Sequence, residues 1–109
     1  MSKQLTITHK DKEYCLEFNR KSVEIMERKG FVVADIETKP MTTLPTLFAG
    51  AFLVNHRYIK PELVEEIYKT IPNKGDLIGK LAEMYSEPIE ALIAEPDEAE
   101  GNATWTTNW

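Results

Sequence analysis

The stretch Leu44–Val54 constrains the fold more than any other part of the chain. Leu47, Phe48, Ala49, Ala51, Phe52, Leu53 and Val54 leave almost no polar face before Asn55. A helix that is apolar all round is stable only where it is covered on every side. In a chain of 109 residues it is then either the central helix of one small core or a helix whose second face is an interface. Pro45, Thr46 and Gly50 interrupt the run, which falls short of the ~20 apolar residues of a membrane span, so no membrane segment is expected. The helix is expected over 43–56, with Thr42 or Thr43 as its cap and Pro45 in its first turn.

The flanking segments supply what could cover it. Gln4-Leu-Thr-Ile-Thr and Glu13-Tyr-Cys-Leu-Glu-Phe alternate apolar and polar residues, the period of a half-buried strand. The polar link His9-Lys10-Asp11-Lys12 makes them a β-hairpin over 4–18. A lone hairpin is marginal in water, so its apolar face (Leu5, Ile7, Tyr14, Leu16, Phe18) needs a helix or a partner. Asn19 stands at the N-cap position of a helix expected over 20–29, with Val23 and Met26 on its inner face. Gly30 is placed for the left-handed stop that turns Phe31 back onto that helix.

Phe31–Lys39 is apolar and β-branched and suits either a third short strand or an extended connector, and Pro40 biases Lys39 away from helix. Pro61 opens a helix over 61–71, with an apolar stripe of Leu63, Val64, Ile67, Tyr68 and Ile71. After the turn cluster Pro72-Asn73-Lys74-Gly75, Asp76 caps a last helix over 76–94. Its apolar positions (Leu77, Ile78, Leu81, Met84, Tyr85, Ile89, Leu92, Ile93) keep phase across Pro88, which predicts one kinked helix and not two. The fold class is therefore α+β, mainly α: an N-terminal hairpin, about four helices in one compact domain over 1–94, and a mobile tail over 95–109. No internal repeat is present.

Charge separates the tail from the body. The formal charge of −5 comes from 13 basic and 18 acidic residues. Glu95, Asp97, Glu98 and Glu100 lie in a tail without Lys or Arg, so the body is close to neutral. No basic footprint for nucleic acid exists, and Lys10, Lys12, Arg20 and Lys21 are diluted by Asp11, Glu13 and Glu17. With 42% hydrophobic and 28% charged residues the composition is that of an ordinary globular chain. One cysteine makes no internal disulfide, and the first residues lack the apolar run of a signal peptide, both suited to a cytoplasmic setting.

Motifs for chemistry are lacking. His9 and His56 stand far apart, and with Cys15 they form no metal-ligand spacing. The five glycines are scattered and cradle no phosphate. Glu62, Glu65 and Glu66 fall on the solvent side of their helix. No enzyme, metal or cofactor is expected. Trp105 and Trp109 stand out on a polar tail, since an exposed Trp buries large area at an interface.

Three segments carry a family resemblance: Glu13-Tyr-Cys-Leu-Glu-Phe-Asn-Arg-Lys-Ser-Val-Glu-Ile-Met-Glu-Arg-Lys-Gly-Phe, then Pro40-Met-Thr-Thr-Leu-Pro-Thr-Leu-Phe-Ala-Gly-Ala-Phe, then Ile89-Glu-Ala-Leu. This pattern, spread over most of 13–93, resembles the tail assembly chaperones of long-tailed phages and prophages of Gram-positive bacteria. The ending Gly-Asn-Ala-Thr-Trp-Thr-Thr-Asn-Trp is similar to the short Trp-containing tails of such proteins. The resemblance implies a non-enzymatic protein of the host bacterial cytoplasm. It implies binding of the tape measure protein, which is kept soluble until tail tube subunits displace the chaperone. The tail tube protein is a possible further partner, self-association is expected, and the protein is not expected in the mature virion.

On this reading Leu47, Phe48, Phe52 and Leu53 form the client or self-association face, with Trp105 and Trp109 as a second contact. The alternative is a structural tail or connector component retained in the virion. A small metal-dependent or thiol enzyme built on His9, Cys15 and His56 is the third.

Overall fold

The computed structural model describes residues 3–94 and 103–109. Two antiparallel strands, β1 (Gln4–His9) and β2 (Lys12–Glu17), precede four helices: α1 (Arg20–Arg28), α2 (Pro40–Gly50), α3 (Pro61–Thr70) and α4 (Lys74–Ile93). This is the expected α+β, mainly α architecture. The strands extend further than the alternation alone predicts: His9 pairs with Lys12, and only Lys10 and Asp11 form the turn. Both have positive φ, 50° and 65°, as a two-residue type I′ turn requires, because its twist matches that of the strands.

Local signals place α1 well. The Ser22 N–H donates to Asn19 Oδ1 at 2.8 Å while the Asn19 N–H donates to Ser22 Oγ at 2.9 Å, a reciprocal capping box. At the other end Gly30 has φ 93°. The Gly30 N–H donates to Glu27 O at 2.9 Å and the Phe31 N–H to Met26 O at 3.0 Å, which closes a Schellman motif. Phe31 is buried there against Tyr85, ring centroids 5.2 Å apart. Asn19→Ala removes the first cap and is expected to cost ~1 kcal/mol. A lower denaturant midpoint with an unchanged slope is the readout.

Three local expectations need correction. Residues 31–39 form neither strand nor extended connector: Val33–Ile36 is a short 3-10 turn. The i,i+3 spacing of a 3-10 turn lays Val33 and Ile36 together on the core. The second correction concerns α2, which starts at Pro40 and ends at Gly50 instead of spanning 43–56. Pro40 takes the first-turn role given to Pro45, which lies inside the helix; Lys39 is the N-cap, without a side-chain bond, and Thr43 is buried within the helix. Beyond Gly50 the chain tightens into i→i+3 bonds (Phe52 N–H to Ala49 O, Leu53 N–H to Gly50 O), which frees Ala51 O to accept the Glu17 N–H of β2 at 3.1 Å. Third, α4 starts at Lys74 behind Asn73, whose φ is 55°, and Asp76 lies in its first turn without capping it. The helix runs unbroken through Pro88, as the phase of its stripe predicts.

One continuous core joins the hairpin to all four helices: Leu16, Phe18, Leu47, Phe48, Phe52, Ile67, Leu81 and Tyr85 are its largest fully buried side chains. Helix α2 lies at the centre, touching α1, α3 and α4. Its closest approach to α1 is at Gly50, where a Cβ would collide with the Met26 Sδ and Cε. Lys3 binds Glu83 at 2.5 Å and ties the start of β1 to α4; that hydrogen bond holds the Glu83 carboxyl below its ordinary pKa. Burial, then the Glu27 charge, raises the pKa of Tyr85.

Among the described residues, no helix is long and apolar enough to cross a membrane. The acidic segment 95–102, expected as the first part of the mobile tail, lies outside the described residues. Ala103–Trp109 has no regular secondary structure and is exposed.

Candidate interaction surface

The residues that sequence patterning singles out separate into two groups. Leu47, Phe48 and Phe52 are fully buried in the chain's own core, and Leu53 is half-buried against it. Phe52 meets Tyr14, Phe48 and His56 edge-on, with centroids 6.0, 5.2 and 6.2 Å away. Leu47, Phe48 and Phe52 are thus covered by the chain's own fold and offer a partner no area in this conformation, while Met41, Pro45 and Ala49 stay exposed on the outer side of α2. Phe48 comes nearest the surface. It floors a cleft of about 390 Å³ between α2 and α3, with Pro45, Ala49, Pro61, Val64 and Tyr68. Trp105 and Trp109 are 84% and 100% exposed and belong to no cluster with the other four.

His9, Cys15 and His56 take structural parts. His56 Nε2 accepts the Cys15 main-chain N–H at 3.0 Å, so its lone pair is engaged by the backbone, and its ring packs on Tyr14 at 5.3 Å. His9 Nε2 lies 2.9 Å from Glu66 Oε2, with Lys10 Nζ 3.5 Å from the same oxygen. The His9 hydrogen bond, then Lys10, holds the Glu66 carboxyl below its usual range. That tie between hairpin and α3 is present at neutral pH and is lost as pH falls through the carboxyl's lowered pKa. No group of three or more His, Cys, Asp or Glu placed to hold a metal occurs among the described residues.

Val32, Met41 and Tyr58 are exposed singly, and a group of exposed apolar side chains lies on the last turns of α4. Leu92 and Ile93 are 59% and 82% exposed, with Ile89 beside them. With 20 residues, α4 is about 30 Å long, whereas helices of 9–11 residues such as α1 and α2 reach only about 14–17 Å. Its last turns overhang the start of α1, where Leu92 and Ile93 stay exposed. Two hollows flank this end where it crosses the start of α1. One, of about 320 Å³, is lined by Val23, Glu24, Glu27, Ile89 and Leu92. The other, of about 400 Å³, is lined by Phe18, Asn19, Glu87, Ala91 and Leu92. Arg20 and Pro88 border both. The result is an apolar ridge with a charged rim of Arg20, Glu24, Glu27 and Glu87, a shape that takes the apolar face of an amphipathic helix.

Patterning missed this surface because Ile89, Leu92 and Ile93 continue the stripe that buries Leu81 and Tyr85. The available signal was length: a 20-residue helix is about twice as long as its neighbours, and among the described residues only the start of α1 meets its end.

A family profile described as "Domain of unknown function (DUF5055)" matches residues 1–109. No curated protein and no solved structure matches the chain.

Proposed function

The chain belongs to the DUF5055 family, and we propose that it is a tail assembly chaperone. It binds the tape measure protein of a long-tailed phage in the host cytoplasm and keeps it soluble until the tail tube polymerises. It leaves before the virion is complete. The observation that carries this reading is the overhanging ridge of Ile89, Leu92 and Ile93 beside the start of α1. Of the segments that resemble the chaperones, Ile89-Glu-Ala-Leu lies on that ridge, and the Asn19–Arg20 helix start opposes it. A long helical client exposes repeated apolar faces, and each would lie along one such ridge. Burying an exposed Leu or Ile side chain contributes roughly 1.5–3 kcal/mol before the costs of association. A single contact is then weak and releasable, and many copies along one client hold it by multivalency.

Co-expression of the full chain with its phage's tape measure protein tests the proposal. The client is expected in the soluble fraction and is expected to co-purify with this chain. A client equally soluble alone, or one that never co-purifies, overturns it. Stoichiometric copies of this chain in purified particles would identify a structural tail component instead.

A further inference from the structure

The two outer edges of the hairpin differ. With a two-residue turn, His9 and Lys12 form a hydrogen-bonded pair, and such pairs alternate along an antiparallel ladder. Ile7–Tyr14 and Leu5–Leu16 are then bonded pairs, and the main-chain groups of Gln4, Thr6 and Thr8 on β1, like those of Glu13, Cys15 and Glu17 on β2, point away from the ladder. Of these outward groups on β2, both of Cys15 and the Glu17 N–H are met. Besides the bonds of the Cys15 N–H to His56 and the Glu17 N–H to Ala51, Cys15 O accepts from Asn55 Nδ2 at 3.1 Å. On β1 no described residue meets them. An open, exposed strand edge is a template for one more strand.

A groove of about 370 Å³ runs along this open edge, between Leu5–Thr8 and the start of α4, with Ile71, Pro72, Leu77 and Lys80 on its far wall. An added strand would share the alternation of β1. Its inner face would join Leu5 and Ile7 over the groove, and its outer face would join Gln4, Thr6 and Thr8 in solvent. One segment of the chain has that pattern. In Ala103–Trp109, Trp105, Thr107 and Trp109 fall on one face and Thr104, Thr106 and Asn108 on the other. The segment has no Gly, Pro or charged side chain, and Thr and Trp favour strands. Outer Thr–Thr neighbours would pair across the strands, and the two indoles would fill the groove. Within its own chain the segment is not seated there, since both Trp side chains are exposed.

We propose that residues 103–109 of one copy add as a strand to the β1 edge of a second copy, with Trp105 and Trp109 seated between β1 and α4. Donor and acceptor surfaces are different, so two copies close a two-fold dimer by exchanging tails reciprocally, and one-way donation propagates into rings or open helical arrays. It requires no client and stands independently of the chaperone reading.

The test is mass in solution by light scattering across a concentration series, on the full chain without client. The wild type is expected to pass from monomer to a dimer or larger assembly as concentration rises. Thr6→Pro removes an outward donor but no ladder bond, a placement edge strands tolerate, and it is expected to stay monomeric with an unchanged circular dichroism spectrum. Trp105→Ser with Trp109→Ser changes only exposed residues, cannot disturb the core, and is also expected to be monomeric. Mixing the two variants pairs an intact tail with an intact edge, and a one-to-one heterodimer that grows no further is expected. A wild type monomeric throughout overturns the proposal, including one whose Trp fluorescence shows the tail seated on its own edge. So does assembly of the Trp double variant at wild-type concentrations.

Discussion

Phe52→Asp abolishes the folded state. Phe52 is completely buried and is the aromatic hub between the hairpin, α2 and the connector to α3, with Tyr14, Phe48 and His56 around it. Truncating such a ring to Ala typically costs ~3–5 kcal/mol. A domain of this size holds only ~5–15 kcal/mol in total. Aspartate adds a carboxylate at a site where apolar rings surround it, and a buried charge without a partner costs several kcal/mol more. The expected result is loss of the helical circular dichroism signal and of any cooperative thermal transition at neutral pH. Client binding would be lost with the fold, so this variant reports on the core and not on the interface. A Phe52→Asp protein that melts cooperatively near the wild-type temperature would show that Phe52 is not a core residue.

Leu92→Lys combined with Ile93→Lys has the opposite profile. Both side chains are more than half exposed on the overhanging end of α4, so substitution there is expected to change stability by no more than ~0.5 kcal/mol. Lysine is a good helix former, is favoured in the last turn by the helix dipole, and at position 93 stands three residues from Glu90. A loss of binding is therefore not a loss of helix. Seating an amphipathic client on the ridge would require the two ammonium groups to leave water. The amount of tape measure protein retained is expected to fall at least tenfold, equivalent to about 1.4 kcal/mol, with an unchanged melting temperature. Full retention by a stably folded double variant would move the client away from α4.

The two variants separate surfaces that look alike in sequence. Leu47 and Leu92 each belong to an apolar helical stripe, yet one is fully buried and the other stands in solvent. The local elements were legible because their signals are local: Asn19 and Ser22 for the start of α1, Gly30 and Phe31 for its end, the alternation of Leu5 and Ile7, the stripe of Leu63, Val64 and Ile67. The errors arose where a distant group decided the outcome. Val33–Ile36 became a 3-10 turn that lays Val33 and Ile36 on a core built by other elements. Helix α2 tightened after Gly50, where Ala51 O turns to the Glu17 N–H. Of the candidate site, Trp105 and Trp109 stood out in the sequence, but whether they fold back on the domain or stay in solvent was decided only by the tertiary structure, which leaves both exposed.

The sequence alone therefore determined the class of fold, the hairpin and its helices, and the need of the Leu44–Val54 segment for cover, which its inner side chains Leu47, Phe48, Ala51 and Phe52 receive while Pro45, Thr46 and Ala49 do not. Only the tertiary structure decided what covers it and which apolar surface remains. Periodicity states that a residue lies on an apolar face, but burial depends on whether another element is long enough and near enough to meet that face. The hairpin and α1, α3 and α4 cover Leu47 and Phe48 of α2 and leave Met41, Pro45 and Ala49 exposed; α1 meets the end of α4 only in part, leaving Leu92 and Ile93 in solvent, and none of these elements closes the outer edge of β1.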